Sequence, residues 1–388
     1  MTARPSFTSL LTPPIIAAIA CITTAGVSLA LSVPLLAFAM EARGASGIFI
    51  GANTAMGGVA VLAATPLIPR AAAMLGVRPL LFLALALGAV TMLGFAAPWP
   101  LWTWFPLRFA LGVSLGAMFV LSEFWITSLA PPQQRGVVMG AYVTALSLGF
   151  AAGPAILVMT GTAGLLPYLV GTALFVVATV PILLFGAGAP TIERPEPGRG
   201  VLFFIRLAPA ATLAGFTFGA IETGAFTFLP LYGVRTGLDP DTAALIGSAV
   251  ALGNVFSQIP IGLLSDRMDR RKLLILIGAG CAVGAAAIPL TQGSIFAYFA
   301  LATLWGSVIT GLYTVGLALL GERFSGIDLA TANAAFVMMY AFGMLVGPPV
   351  LGVGIDVWNP HGAPALIALM LLAYAAVAAF GTKAVRAS

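Results

Sequence analysis

The sequence predicts an all-helical protein that crosses a membrane many times, and three observations lead there. Of 388 residues, 60% are hydrophobic and only 7% are charged, too few to build the water-facing shell of a soluble domain. The hydrophobic residues recur in long runs separated by short polar breaks, each run near the ~20 residues that cross a ~30 Å hydrocarbon layer. The runs are continuous, where the strands of a membrane barrel would alternate. A soluble enzyme is excluded by the same arithmetic.

Twelve transmembrane helices are expected, at 12–38, 47–68, 78–97, 101–129, 137–160, 165–187, 204–231, 241–264, 273–291, 294–320, 330–353 and 363–382. The first is read as uncleaved: one basic residue, Arg4, precedes an apolar run far longer than a signal core, with no small-residue cleavage pattern before Glu41 and Arg43. The third and fourth meet at Pro98-Trp99-Pro100, the fifth and sixth at Gly161 to Gly164, and the ninth and tenth at Thr291-Gln292-Gly293. Such short connections require antiparallel hairpins.

Between the sixth and seventh helices, Gly186 to Arg206 is the widest break. Its run from Pro190 to Gly200, with prolines, glycines and charges, opposes a buried helix. The expected domains are therefore 1–187 and 204–388, six helices each, joined by a cytoplasmic linker at 188–203. An internal repeat supports the division. A shift of 194 residues lays Gly149-Phe150-Ala151-Ala152-Gly153-Pro154 over Gly343-Met344-Leu345-Val346-Gly347-Pro348, and Pro66, Arg78 and Gly112 over Pro260, Lys272 and Gly306. Two pseudosymmetric bundles follow.

The net charge of +5 comes from 17 basic and 12 acidic residues that sit between apolar runs. With both termini inside, 14 of the basic residues fall on the cytoplasmic side, Arg43 and Arg235 fall outside, and Arg108 lies within a span. This asymmetry reports topology and gives no reason to expect nucleic acid. Cys21 and Cys281 lie in apolar runs, and the lone His361 is in an external loop, so neither a disulfide framework nor a metal site is expected. No nucleotide-binding signature is present, and no cofactor is expected.

The strongest local signal is Gly262-Leu263-Leu264-Ser265-Asp266-Arg267-Met268-Asp269-Arg270-Arg271-Lys272, in the short turn between the eighth and ninth helices. Asp266 and Asp269 beside Arg267, Arg270 and Arg271 suit pairing with one another or with neighbouring helix ends, and a plain topology anchor is an equally compatible duty. The segment resembles the loop signature of the major facilitator superfamily, and the resemblance covers essentially the whole chain. It implies the major facilitator fold and a role for this turn in conformational switching. The equivalent first-half stretch, Pro69 to Arg78, keeps positive charge but lacks the aspartate.

Two further elements are similar to motifs of that family. Arg108, Gly112 and Gly116, spaced by four, share one helix face; the resemblance implies proton transfer or its control for Arg108, and a structural hydrogen-bond donor is the other reading. Gly149, Gly153 and Pro154 resemble the glycine-proline motif of exporters and proton antiporters, with Gly343, Gly347 and Pro348 as a second copy. Glycines relieve packing and proline removes a backbone donor. Ser122-Glu123-Phe124-Trp125, Leu229 to Arg235 and Ala318 to Phe324 look like the bacterial YcaD-like branch, and drug/proton antiporters are a looser resemblance.

Among the acids, Glu222 sits well within the seventh helix, where a lone charge is expensive and a carboxyl can discharge it by taking up a proton. It is the leading proton-coupling candidate, with a hydrogen-bonded packing group as the alternative. Glu123, near the cytoplasmic part of the fourth helix, is read either as paired with Arg135 or as part of a proton exit. Glu322 and Arg323 form a cytoplasmic gate or brace.

Polar residues in apolar spans, chiefly Ser28, Asn53, Thr217, Asn254, Gln258, Asn333 and Tyr340, are the candidate substrate-binding groups, with helix-packing hydrogen bonds as the other reading. The reading as a whole is a secondary active transporter of the bacterial inner membrane. Proton-coupled export of a small organic or amphipathic compound by a functional monomer is the main expectation; proton-coupled import or uniport is the alternative, ahead of a channel or receptor. Its expected partners are the substrate, protons and membrane lipids.

Overall fold

A computed structural model describes residues 12–129, 135–185, 201–324 and 326–380; within helices, a few further side chains, those of Arg135, Arg206 and Gln258 included, lie outside the described set. The linker expected at 188–203 is outside it up to residue 200.

Every described element is helical. In chain order they are α1 (Pro13–Ala42), α2 (Gly47–Ala64), α3 (Ile68–Leu75), α4 (Val77–Ala96), α5 (Trp104–Leu129), α6 (Arg135–Thr160) and α7 (Leu166–Phe185), followed by α8 (Val201–Leu207), α9 (Pro209–Arg235), α10 (Pro240–Arg267), α11 (Arg270–Ala287), α12 (Ile295–Ile309), α13 (Gly311–Arg323), α14 (Gly326–Val357) and α15 (Gly362–Phe380). Short 3-10 turns at Leu101–Thr103 and Ile288–Thr291 tighten two of the hairpin connections.

Among the described residues, ten helices are long and apolar enough to cross a membrane, or eleven with the bent pair Pro240–Ser257 and Pro260–Arg267. Twelve were expected. The difference is α9, long enough at 27 residues but diluted by Glu222 and its threonines and glycines. The 48° bend in α10 falls at Pro260, which has no N–H to continue the ladder.

Two more departures have local causes. The second helix stops at Ala64, short of residue 68, because Pro66 and Pro69 break it; the chain restarts as the amphipathic α3, with Leu67, Met74 and Leu75 exposed. The tenth expected span holds as one stretch, Ile295–Arg323, with its helix interrupted by a turn at Thr310, whose hydroxyl bonds back to the Gly306 carbonyl at 3.0 Å. Polar side chains cap several starts: Asp239 Oδ1 accepts from the Thr242 amide at 2.9 Å, and hydrogen bonds from Thr242 hold this exposed carboxyl below its ordinary value.

The contacts form two compact units, one of residues 1–35 with 60–195, the other of residues 36–59 with 196–388. In the first, α4 packs between α5 and α7: the Ser114 hydroxyl donates to the Ala84 carbonyl at 2.6 Å, and Gly88 makes room for the Phe175 ring. In the second, α11 lies against α12 and α15, with Trp305 Nε1 donating to the Cys281 carbonyl at 3.0 Å.

The repeated glycines pack alike in each unit. A Cβ on Gly149 would lie 2.7 Å from the Thr23 carbonyl oxygen, and one on Gly153 2.7 Å from the Leu31 nitrogen, so α6 rides directly on the α1 backbone. Their counterparts Gly343 and Gly347 press α14 against the backbone of α9 at Phe216 and Ala220. Shifting Gly26, which lies beside Gly149, by the repeat interval gives Ala220.

Candidate transport site

The residues around Glu222 come from α9, α13 and α14 of the second unit. On α9, Gly215 and Gly219 let α14 approach: a Cβ on Gly215 would stand 3.0 Å from the Phe336 carbonyl oxygen, and one on Gly219 would overlap the Tyr340 carbonyl. Phe218 and Glu222 are four apart on α9, and Phe336 and Tyr340 four apart on α14, so each helix presents a ring and a polar group on one face.

Tyr340 donates its hydroxyl to Glu222 Oε2 at 2.7 Å. Its ring stacks on Phe218, with centroids 5.9 Å apart and planes 28° apart. Tyr313 of α13 meets Tyr340 edge-on at 5.9 Å and Phe336 edge-on at 5.1 Å. Phe218 and Phe336 are buried, whereas Glu222, Tyr313 and Tyr340 are only half-buried. Among the described residues no arginine, lysine or histidine pairs with Glu222; its hydrogen-bond partner is Tyr340.

The other polar candidates divide by environment. Asn53 is fully buried, and neither amide atom has a hydrogen-bond partner among the described residues. Ser28 Oγ and Asn333 Oδ1 are likewise buried without one. Thr217 is buried and Asn254 half-buried, while the Gln258 side chain is outside the described set. In the first unit Arg108 is 5% exposed with its NH1 unpartnered among the described residues. Glu123 is exposed on α5, and its expected partner Arg135 has no described side chain.

At the α10–α11 turn the structure assembles part of the charged signature. Arg270 reaches Glu322 Oε2 at 3.1 Å, Asp266 Oδ1 at 3.4 Å and the Ser265 hydroxyl at 3.3 Å, linking this turn to the end of α13. Asp269 caps α11, accepting from the Lys272 amide at 2.8 Å, and Arg271 donates to the Ala378 carbonyl of α15 at 2.7 Å. Arg267 and Arg323 are exposed.

One cluster escaped the sequence reading, which counted Arg235 as an outside charge and named Glu41 only in reading the first helix as uncleaved. Arg235 forms a two-pronged pair with Glu41, Nε to Oε1 at 2.8 Å and NH2 to Oε2 at 3.0 Å, and its NH1 reaches Asn359 Oδ1 at 3.1 Å. Asp356 accepts from the Gly47 and Ile48 amides at 2.7 and 2.9 Å, an anion seated on the start of α2. Nearby, Gly51 fits against the backbone of Pro348 and Pro349. A signal for the pair was present: Glu41 and Arg235 are separated by 194 residues, the interval of the internal repeat.

Helices long and apolar enough to cross a membrane, in two glycine-packed units, define a polytopic membrane protein. The Major Facilitator Superfamily profile matches residues 16–240 and 211–387, and the chain belongs to that family. It is 25% identical over 338 residues to the uncharacterized MFS-type transporter YfkF of Bacillus subtilis, covering 84% of this chain and 85% of that one. It is 25% identical over 272 residues to the uncharacterized MFS-type transporter YcaD of Escherichia fergusonii, covering 69% and 68%. Its fold is similar to that of a D-xylose-proton symporter (TM-score 0.75, 15% identity, 99% of this chain and 100% of that one). It is also similar to the nucleoside transporter NupG (TM-score 0.74, 16% identity, 95% and 97%).

Proposed function

We propose that the protein is a proton-coupled secondary transporter of a small organic compound, working by alternating access in a bacterial inner membrane. The observation that carries the reading is Glu222: a carboxyl inside α9, held by Tyr340, with no basic partner among the described residues. A charge there is expensive, and proton uptake removes it. Glu222 is the coupling residue, with Arg108 and Glu123 as further proton-handling groups. Ser28, Asn53, Thr217, Asn254, Gln258, Asn333 and Tyr340 are the substrate-facing set. Arg270, with Asp266 and Glu322, braces one gate, and the glycines of α6 and α14 are its sliding surfaces. The monomer, with six helices in each half and both termini inside, is the working unit.

Two directions each have an observation behind them. The glycine-proline element of α6 supports export. The likeness in fold to a D-xylose-proton symporter supports symport with protons, the import reading. A substrate-panel flux assay in proteoliposomes, with pH and voltage set independently on the two sides, tests the proposal. A pH gradient is expected to drive one compound against its own gradient, in a direction the assay reads out. Flux that only ever runs downhill, unaffected by the gradient, leaves a uniporter and removes proton coupling.

A further inference from the structure

We infer that the first unit carries a binding site for an anionic phospholipid, with the phosphate on Arg78 and an acyl chain along the neighbouring apolar groove. The site is separate from the transport proposal and stands without it. The two halves of the chain differ at the turn that holds it. In the second half, Asp266 and Glu322 pair with Arg270, and Asp269 caps α11. The repeat interval of 194 residues lays these three acids over Ala72, Leu75 and Ser128, while Lys272 falls on Arg78. The first-half turn keeps the cation and has none of the three acids.

The protein satisfies Arg78 only in part. NH2 donates to the Leu183 carbonyl at 2.9 Å and the guanidinium carbon lies 5.8 Å from the centre of the Phe82 ring, yet Nε is buried with no hydrogen bond among the described residues. Glu123 is the one acidic side chain among the described residues of this unit, and no ion pair there joins it to Arg70 or Arg78. Arg78 is also the second residue of α4, whose first turn has neither an acidic residue nor a side-chain cap, so nothing in that turn offsets the positive end of the helix dipole. A half-buried arginine in such a setting suits a phosphate, whose oxygens accept paired N–H groups.

The groove selects a lipid phosphate over a free one. Its volume is about 580 Å³, and apart from Arg78 it is lined by Pro79, Phe82, Leu83 and Ala86, all apolar. Leu83 is exposed, as are Leu183 and Leu184 on α7. Such walls offer an inorganic anion nothing, whereas an acyl chain gains by covering them. On α3, Leu67, Arg70 and Met74, at i, i+3 and i+7, are exposed along one face. With that face in the membrane interface, the leucine and methionine sit among the chains and Arg70 brings a second positive charge to the headgroups.

The test is native mass spectrometry of the full chain titrated with dioleoylphosphatidylglycerol or with dioleoylphosphatidylcholine, which has the same chains and no net charge. The first phosphatidylglycerol is expected to bind about tenfold or more tightly than phosphatidylcholine, since each basic residue near an anionic surface adds about fivefold. Arg78→Gln should remove most of that preference, Arg78→Lys should keep part of it, and Phe82→Ala should weaken both lipids by a similar factor. Arg267→Gln, which alters an exposed arginine of the second unit, should leave the preference unchanged. Each readout compares two lipids on the same folded preparation, so a lower yield of a variant does not mimic the effect. Equal affinity for the two lipids in the wild type, a preference that survives Arg78→Gln, or an equal loss in Arg267→Gln overturns the inference, the last marking a general attraction to basic loops. Glycerol 3-phosphate, which carries the phosphate without the chains, is expected to compete poorly. Binding as tight as that of the lipid would leave a free-anion site and overturn the lipid assignment.

Discussion

Asn53 carries the clearest residue-scale tension in the protein. Its side chain is fully buried on α2 and both polar atoms lack a hydrogen bond among the described residues, which costs about 1–3 kcal/mol for each unsatisfied group. A transporter tolerates that cost when a ligand meets the amide during the cycle. Asn53→Leu, similar in volume, is therefore expected to raise thermal stability by up to a few degrees while lowering transport; equal loss of both would make the amide a structural group. Glu222 was legible from sequence because a lone carboxyl in an apolar run is conspicuous. Its partner was not. Tyr340 stood out only as one polar residue among several, since the register of α9 against α14 depends on helix rotations that a linear pattern does not contain.

At the scale of elements, apolar run length located the helices well, and prolines explain where it erred, at Pro66, Pro69 and Pro260. The turn at Thr310 was hidden because the run of apolar residues continues through it. Glycine spacing was informative in a different way: the repeat at Gly149, Gly153, Gly343 and Gly347 foretold close packing, and the structure supplies the surfaces, α1 and α9. Gly347→Val should cost about 1–3 kcal/mol or more, because the new side chain meets the Ala220 backbone. Gly262→Ala, with open space around its Cβ position, should leave the melting temperature unchanged or slightly raised. Similar losses at both positions would contradict the packing account. For the ends of α1 and α9, a double-mutant cycle on Glu41→Gln and Arg235→Gln should return a coupling of about 1–3 kcal/mol, since the pair is two-pronged and its side chains are only 26% and 16% exposed. Additive effects would mean that the pair contributes nothing in the membrane.

For the molecule as a whole, charge scarcity decides which residues deserve mechanistic weight. Most of the described charged residues sit at helix ends, where several cap or brace the helices. Arg108 stands inside a span and Glu222 inside the helix α9, and among the described residues Glu222 has a hydrogen-bonded tyrosine and a cluster of rings around it. The most direct test of the account is proton movement in proteoliposomes loaded with a pH-sensitive dye, following substrate addition to the wild type and to Glu222→Gln. The account predicts substrate-dependent proton flux in the wild type and none in a correctly inserted Glu222→Gln. Undiminished substrate-dependent proton flux in that variant would contradict it.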